Sequence, residues 1–320
     1  MDIRQYEPLF GAWHVARQIG AGSFGTVYEI ARTEFGQTYR SALKVISIPS
    51  SRAEARAILE DVVDAQSVST FFASMVESFL QELVLMNQLK GNSHIVSYED
   101  HEVIEKNSEL GWDILIRMEL LTPLNDYIQG RELSLPEIVK LGEDICQALE
   151  LCQMHQIIHR DVKPENIFVS DNGDFKLGDF GIARTAERAN RSMSQKGTYH
   201  YMAPEVFRSG RYDATVDLYA LGIVLYRMLN HNRAPFLPDY PQQITQQDRE
   251  DALAKRLSGE RMEPPCQAPE PLAQIILKAC AYQPKNRYAS ANQMRKELAQ
   301  YRQRYLESSQ PKASKPSRSV

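Results

Sequence analysis

The stretch Ile158-His159-Arg160-Asp161-Val162-Lys163-Pro164-Glu165-Asn166 places an acid, a base and an amide within six residues, at Asp161, Lys163 and Asn166. An Asp can accept a proton from a hydroxyl nucleophile, a Lys can neutralise charge on a phosphoryl group, and an Asn oxygen is a hard ligand for Mg²⁺. Asp179-Phe180-Gly181 lies thirteen residues beyond Asn166 and supplies a second oxygen ligand. The spacing predicts a phosphoryl-transfer site with Asn166 and Asp179 as metal ligands.

A glycine-rich stretch near the N-terminus contains Gly20, Gly22 and Gly25. Such a backbone can approach a triphosphate closely and present its N–H groups to the phosphate oxygens. Dinucleotide-binding folds share this pattern, but in them the glycine turn opens a helix. Here Thr26-Val27-Tyr28-Glu29-Ile30 continues with β-branched and aromatic residues, so a β-hairpin is predicted instead.

Lys44 lies inside the apolar run Ala42-Leu43-Lys44-Val45-Ile46, which predicts a third strand. A lysine is usually exposed to solvent, so its place in an apolar strand favours a specific role. A helix is predicted next, because apolar residues then recur at helical spacing. The residues of this stripe are Phe72, Met75, Phe79, Leu83 and Met86. A further strand is predicted to start at His94-Ile95-Val96.

This order of motifs resembles the eukaryotic-type (Hanks-type) Ser/Thr protein kinase family, and most closely its bacterial members. The resemblance covers about residues 12–303 and includes Ala203-Pro204-Glu205 with a matching Arg287. It implies an α+β, two-lobed protein-kinase fold, in which a small lobe of antiparallel sheet plus one key helix precedes a large, mainly helical lobe. ATP is expected to bind between the lobes.

The domain boundaries predicted on this basis are an N-terminal extension (1–11), a small lobe (12–121), a large lobe (122–305) and a disordered tail or linker (306–320). A helical insertion is predicted at about 51–67, either as packed decoration or as a partner-binding element. Ser134-Leu135-Pro136-Glu137 is a capping box and predicts the start of a long helix that leads to the catalytic stretch.

The resemblance also assigns roles to single residues. Asp161 is the expected catalytic base, and Lys163 and Lys44 are expected to neutralise phosphate oxygens. Lys44 is expected to pair with Glu82 on the predicted helix, with Glu77 as the alternative. Either Asn125 or Asp126 is expected to contact the ribose. The implied nucleotide-binding residues are Gly20, Gly22, Gly25, Val27, Ala42, Lys44, Met118, Glu119, Leu121 and Phe168.

Residues 182–203 are rich in Ser, Thr, Arg and Gln, which is typical of a mobile loop. By resemblance, Thr198 belongs to the substrate-binding loop. Thr185, Ser192 and Ser194 are candidate phosphorylation sites, because Arg160 next to the predicted base could pair with a phosphate and order the loop.

The composition limits which binding partners and which cellular compartment are expected. A formal net charge of -4 and a pI near 6.0 argue against nucleic acid as a partner. Cys146, Cys152, Cys266 and Cys280 form no paired metal motif and are predicted to be buried free thiols. No signal peptide or membrane segment is predicted within the chain. A cytoplasmic location is therefore expected, with a membrane anchor beyond Val320 left open.

The function expected from the resemblance is transfer of the γ-phosphate of ATP-Mg²⁺ to Ser and Thr hydroxyls of protein substrates. A transient homodimer would allow the chain to phosphorylate itself. Two alternatives stay open at this stage: a pseudokinase scaffold that binds partners without turnover, and a small-molecule phosphotransferase on the same fold. Against the first, no catalytic position is missing.

Overall fold

The computed structural model describes residues 2–22, 25–51, 56, 65–106, 111–179, 199–208, 210 and 212–309, without the side chains of 65–67, 82, 85 and 306–309. The chain divides into two compact units. One contains Met1–Gln129 and His159–Tyr199, and the other contains Gly130–Ile158 and His200–Val320. The predicted lobe boundaries stay a prediction, and most of the predicted insertion at 51–67 lies outside the described residues.

The first unit is built on an antiparallel sheet in the order β1-β2-β3-β5-β4. The glycine-rich stretch is followed directly by a strand, as predicted for a hairpin and not for a dinucleotide fold. The strands are β1 (His14–Gly22), β2 (Gly25–Glu34), β3 (Gln37–Ile48), β4 (Tyr98–Glu105) and β5 (Trp112–Met118).

N-terminal residues pack against one face of this sheet. Ile3 and Leu9 are buried in a cluster with Trp13, Leu43 and Leu115. The Tyr6 hydroxyl donates a hydrogen bond of 2.8 Å to Asp113, whose side chain is fully buried. Ile3 and Leu9 are therefore part of the hydrophobic core of the sheet.

Helix α1 (Ala65–Gln88) follows, and all five residues of the predicted apolar stripe are buried, which confirms its periodicity. The strand expected to start at His94 starts at Tyr98 instead. The reason is that the preceding backbone pairs elsewhere: Val96 N–H donates to Leu177 O and Leu177 N–H donates to His94 O, both at 2.9 Å. That prediction of the strand start was wrong by four residues.

A small three-stranded sheet completes the described part of the first unit. It has the order β6-β7-β8, with the short helix α2 after its first strand and a 3₁₀ turn at Pro164–Asn166 before its second. The 3₁₀ turn places Asn166 directly before a strand. The bounds are β6 (Thr122–Pro123), α2 (Leu124–Tyr127), β7 (Ile167–Val169) and β8 (Phe175–Leu177).

The second unit is mainly helical in its described residues. Its helices are α3 (Leu135–Met154), α4 (Pro204–Phe207), α5 (Thr215–Met228), α6 (Gln246–Ser258), α7 (Glu270–Ala279) and α8 (Ala291–Ser309). The predicted capping box forms at α3, where Ser134 N–H donates to the Glu137 carboxylate at 2.8 Å. Helix α8 extends four residues beyond Tyr305, the predicted end of the large lobe. Residues 310–320 lie outside the described chain.

The structure also bears on the predictions for the cysteines and for membrane segments. Cys146, Cys152 and Cys280 are buried free thiols as predicted, but Cys266 is exposed and corrects that prediction. Within the described residues one helix, Val68–Gln88, has the length and composition of a membrane span. A buried core helix meets the same criteria, and this helix buries Phe72 and Phe79 in the unit.

Candidate active site

Asp161 is the centre of a hydrogen-bond network in the stretch that precedes β7. Its Oδ2 atom lies 2.8 Å from Lys163 Nζ and accepts a hydrogen bond of 2.8 Å from Asn166 Nδ2. The same amide donates to the Asp161 carbonyl at 2.8 Å. Asp161 Oδ1 is buried and has no hydrogen-bond partner among the residues that the structure describes. A buried carboxylate oxygen without a donor is costly, so Oδ1 needs a donor from outside the described residues.

His159 holds this stretch against the residues before Asp179. The ring is fully buried, and its Nε2 donates to the Gly178 carbonyl at 3.0 Å. Its Nδ1 accepts a weak hydrogen bond of 3.3 Å from the Asp161 N–H. The Gly178 N–H in turn donates to the Asn166 carbonyl at 2.9 Å. The imidazole therefore serves to position Asp161 and Asp179.

The backbone is strained at both edges of this network. Arg160 and Asp179 have φ angles of 68° and 55°, in a backbone region that residues other than glycine rarely adopt. Each such residue costs on the order of 1–3 kcal/mol, and such residues cluster at functional sites. A Cβ added to Gly178, directly before Asp179, would lie 2.8 Å from side-chain atoms of both Phe168 and Val96, so a larger residue there would require these side chains to shift.

Lys44 reaches the same region from β3. Its side chain is 7% exposed, and its Nζ lies 2.6 Å from Asp179 Oδ1. The Asp179 side chain is 35% exposed to solvent. Burial acts to raise the pKa of Asp179, but the Lys44 ammonium beside it holds that pKa below its usual range. Asp179 is therefore a carboxylate at neutral pH, with one side still open to solvent.

The strand register gathers several predicted nucleotide-binding residues on one face of the large sheet. Val27 lies opposite Lys44, and Ala42 lies opposite Met118. Residues two apart on a strand share a face, so Ala42 and Lys44 point to the same side. The result is an apolar surface of Val27, Ala42 and Met118 beside one buried ammonium group.

Residues 13–298 match the family model of the protein kinase domain. Serine/threonine-protein kinase PknB of Mycolicibacterium smegmatis is 39% identical over 165 residues, 50% of this chain and 25% of that protein. Serine/threonine-protein kinase Pkn1 of Myxococcus xanthus is 30% identical over 318 residues, 92% of this chain and 40% of that protein. Probable serine/threonine-protein kinase PknB of Lactococcus lactis is 26% identical over 289 residues, 90% and 41% of the two chains.

The chain belongs to the protein kinase family. The predicted resemblance to eukaryotic-type kinases of bacteria is confirmed, because these relatives are bacterial. The predicted α+β, two-lobed fold class is confirmed by the same match. The chain spans between 25% and 41% of the length of these three relatives.

The glycines of this chain differ in what the fold requires of them. Gly25 has a φ of 125°, and a Cβ there would lie 2.1 Å from the Val45 carbonyl oxygen, so this backbone conformation favours glycine strongly. Among the described residues, no atom lies within 4 Å of a Cβ added to Gly22, and a Cβ added to Gly20 would make only ordinary contacts with Val27. Packing therefore does not explain Gly20 or Gly22, and close approach of a phosphate remains their predicted role.

The segment after β5 has two backbone groups without a hydrogen bond to any described residue. Within the described residues, no hydrogen bond uses the Glu119 carbonyl or the Leu121 N–H. Both groups belong to residues that the sequence predicts to bind the nucleotide, and that role stays a prediction. Asn125 and Asp126 are both exposed, so the structure does not choose between them for the ribose.

An ion pair that sequence reasoning missed fixes this segment. The Glu119 carboxylate lies 2.8 Å from Lys176 Nζ on β8 and accepts a hydrogen bond of 2.5 Å from the Ser97 N–H. The Glu119 N–H donates to the Ser97 carbonyl at 3.0 Å. The only sequence signal was an acidic residue at the end of an apolar strand, and its partner lies 57 residues away.

Several predicted site residues lie outside what the structure describes. The backbone of Glu82 lies in α1 but its side chain is not described, whereas the alternative, Glu77, is exposed. Phe180 of the Asp179-Phe180-Gly181 motif also lies outside the described residues. The remaining residues outside the described chain are Thr185, Ser192, Ser194 and Thr198.

Proposed function

We propose that this chain is an ATP-dependent protein kinase that transfers the γ-phosphate of ATP to Ser and Thr hydroxyls of proteins, including its own. The observation that carries the proposal is the Asp161 carboxylate. One of its oxygens is held by Lys163 and Asn166, and the other is buried and free of protein donors in the described chain. A substrate hydroxyl is the donor that this oxygen suits.

Asp161 orients the hydroxyl nucleophile and accepts its proton late in the reaction. A loose phosphoryl transition state needs positioning and charge neutralisation more than a strong base. Lys163, already 2.8 Å from Asp161, stabilises negative charge on the transferred group. Lys44 is the second cation, and it exchanges its contact with Asp179 for one with the nucleotide phosphates.

The donor set around Asp161 fits Mg²⁺ brought in with the nucleotide. Asn166 Nδ2 is used by Asp161, which leaves its side-chain oxygen as an acceptor, and Asp179 is an ionised carboxylate with an open side. Two oxygen ligands suffice, because Mg²⁺ completes its shell with phosphate and water. No cluster of three His, Cys, Asp or Glu ligands occurs among the described residues. The ion supplies charge neutralisation at the phosphates.

Lys44 pairs with Glu82 when the nucleotide is bound. Glu82 belongs to α1, whose buried stripe includes Leu83 and Met86 directly beside it. A structure of the nucleotide-bound protein tests this assignment. A contact from Lys44 to Glu77, or to neither residue in the active form, would overturn it.

Phosphorylation within residues 182–203 raises activity. Arg160 lies next to Asp161 in a strained backbone, and a phosphate that reaches its guanidinium would gain charge-assisted hydrogen bonds and order the segment. Thr185, Ser192 and Ser194 are the proposed sites, and Thr198 positions the substrate. Replacing all three sites with Ala should lower activity and remove the matching phosphopeptides from mass spectra. Full activity of the triple variant would exclude this switch.

The partners follow from the reaction. Protein substrates are expected, together with a transient homodimer during autophosphorylation, and the acidic net charge disfavours nucleic acid. Use of ATP and the free cysteines favour a cytoplasmic location for this part of the chain.

Replacement of Asp179 by Ala tests the function. We expect the variant to fold, since Asp179 is partly exposed and its recorded partner is the Lys44 ammonium, and to lose phosphate transfer to a generic protein substrate. Asp171→Ala is the matched control, because Asp171 is exposed in the β7–β8 turn. Unchanged transfer by folded Asp179→Ala protein would refute the assignment. A pseudokinase would bind ATP without transfer in the wild type as well.

A further inference from the structure

A basic cavity of about 120 Å³ lies in the second unit, and its lining includes none of the catalytic residues described above. Four basic side chains line it, those of His200, Arg227, Arg249 and Arg256. None of its lining residues is acidic, and apolar side chains such as Leu237 and Leu253 form the rest of the wall. The cavity therefore combines positive charge with an apolar surface.

Helix α6 supplies one side of this cavity. Arg249, Leu253 and Arg256 are spaced by four and three residues, so they share one face of the helix. The acidic neighbours of Arg249 in sequence are engaged elsewhere: Asp248 caps the helix through Thr245, and Glu250 accepts a hydrogen bond from Gln246. The Arg249 guanidinium makes no hydrogen bond or ion pair within the described part of the chain.

The other arginines are tied to the segment that follows His200. Arg256 is buried, and its Nη1 donates to the Met202 carbonyl at 2.8 Å and to the Tyr219 hydroxyl at 3.1 Å. Arg227 donates to the Tyr201 hydroxyl and, at 3.3 Å, to the Asn232 carbonyl. A guanidinium has five N–H donors, so Arg227 keeps donors for a ligand.

The position of the cavity along the chain connects it to substrate binding. His200 follows Thr198, the proposed substrate-loop residue, by two positions in the sequence. Two residues of chain span at most about 7 Å, so a substrate group that contacts Thr198 would bind close to the backbone of His200, which lines the cavity. Ligand pockets for small molecules usually measure about 300–1,000 Å³, which is larger than this cavity. A single side chain is the better match in size.

We propose that the cavity binds an acidic side chain of the protein substrate close to the phosphorylated Ser or Thr, and so makes the kinase select acidic sequences. The proposal rests on the proposed kinase function. Arg249 and Arg227 supply charge-assisted hydrogen bonds to the anion, while Leu237 and Leu253 contact the methylene groups of its side chain. The anion is a carboxylate of Asp or Glu or the phosphate of a phosphorylated residue.

A peptide scan with purified protein tests this inference. One peptide series carries Glu, phosphoserine, Gln or Lys at each position around a central Thr, and kcat/KM is compared with that of the Gln peptide. A net charge-assisted hydrogen bond predicts a preference of about tenfold or more for an anion at one position. The Glu and phosphoserine arms decide which anion the cavity accepts.

Arg249→Glu should abolish or reverse that preference, measured as the ratio of the anionic to the Lys peptide within each protein. Arg261→Glu is the matched control, because Arg261 is exposed and does not line the cavity, and it should keep the wild-type ratio. No anionic preference in the wild type, or an unchanged ratio in Arg249→Glu protein, would overturn the proposal.

A binding measurement separates this proposal from the kinase function itself. Fluorescence anisotropy of the labelled anionic peptide is measured with Asp161→Asn protein, with and without Arg249→Glu. Weaker binding after the Arg249 change supports the cavity even if the wild type transfers no phosphate. Equal binding by both proteins contradicts the cavity assignment even if the wild type is an active kinase.

Discussion

Replacing Glu205 with Ala removes the carboxylate that neutralises Arg287. Both guanidinium Nη atoms bond to this carboxylate, at 2.6 and 2.8 Å, and the Arg287 side chain is fully buried, whereas Glu205 is 15% exposed. The pair closes a contact between residues 82 positions apart in the sequence. Its removal leaves a buried positive charge without a counterion.

The expected loss of stability can be worked from these contacts. Removing one partner of a buried ion pair costs about 3–5 kcal/mol. Arg287 keeps part of its environment, because its guanidinium also donates to three backbone carbonyls and lies over the Tyr219 ring at 4.7 Å. We therefore expect the free energy of unfolding to fall by about 3 kcal/mol, near the lower end of that range. This loss corresponds to a fall in Tm of roughly 6–12 °C.

Urea unfolding of four proteins provides the assay: wild type, Glu205→Ala, the double variant Glu205→Ala/Arg287→Met, and Glu250→Ala as an exposed control. The double variant should be more stable than Glu205→Ala, because it no longer buries an unpaired charge. The control should stay within about 0.5 kcal/mol of wild type. A double variant less stable than Glu205→Ala would refute the reasoning, and so would a loss below about 1 kcal/mol in the single variant.

Three further expectations follow from the first unit. Lys44→Met should lower the free energy of unfolding most at neutral pH, and the difference from wild type should close below about pH 4 as Asp179 becomes protonated. The reason is that a carboxyl group with a lowered pKa stabilises the fold only while it is ionised. A difference that widens on acidification in pH-dependent unfolding would contradict this. Tyr6→Phe should cost about 1–3 kcal/mol by depriving buried Asp113 of a donor, and unchanged urea unfolding would exclude it. Gly25→Ala should lower stability, whereas Gly22→Ala should leave it within about 1 kcal/mol and weaken ATP binding; equal Tm losses in both variants would contradict the distinction.

Local sequence patterns predicted the structural elements that depend only on nearby residues. The buried stripe of α1, the capping box of α3 and the hairpin after the glycines each follow from spacing or residue type within a short window. The Glu205–Arg287 pair was predicted from the family motifs, and both residues are where that prediction places them.

Contacts between distant residues were harder to predict. Residues 3–10 were assigned to an extension, yet Tyr6 bonds to Asp113, 107 residues away, and Leu9 enters the core. The start of β4 was misplaced because His94 and Val96 pair with Leu177, which no local pattern reveals. For the site, Asp161, Lys163 and Asn166 lie together as predicted by their short spacing, whereas the Lys44–Asp179 pair joins residues 135 positions apart.

The role of Asp161 in phosphate transfer to Ser and Thr is the central claim, and one measurement tests it most directly. Wild-type and Asp161→Asn proteins are incubated with γ-labelled ATP, Mg²⁺ and a generic protein substrate, and the labelled amino acids are identified after acid hydrolysis. The wild type should yield phosphoserine and phosphothreonine, and the variant should be slower by about 10²–10⁴ while still binding ATP. Equal rates in the two proteins, or no transfer by the wild type, would contradict the account.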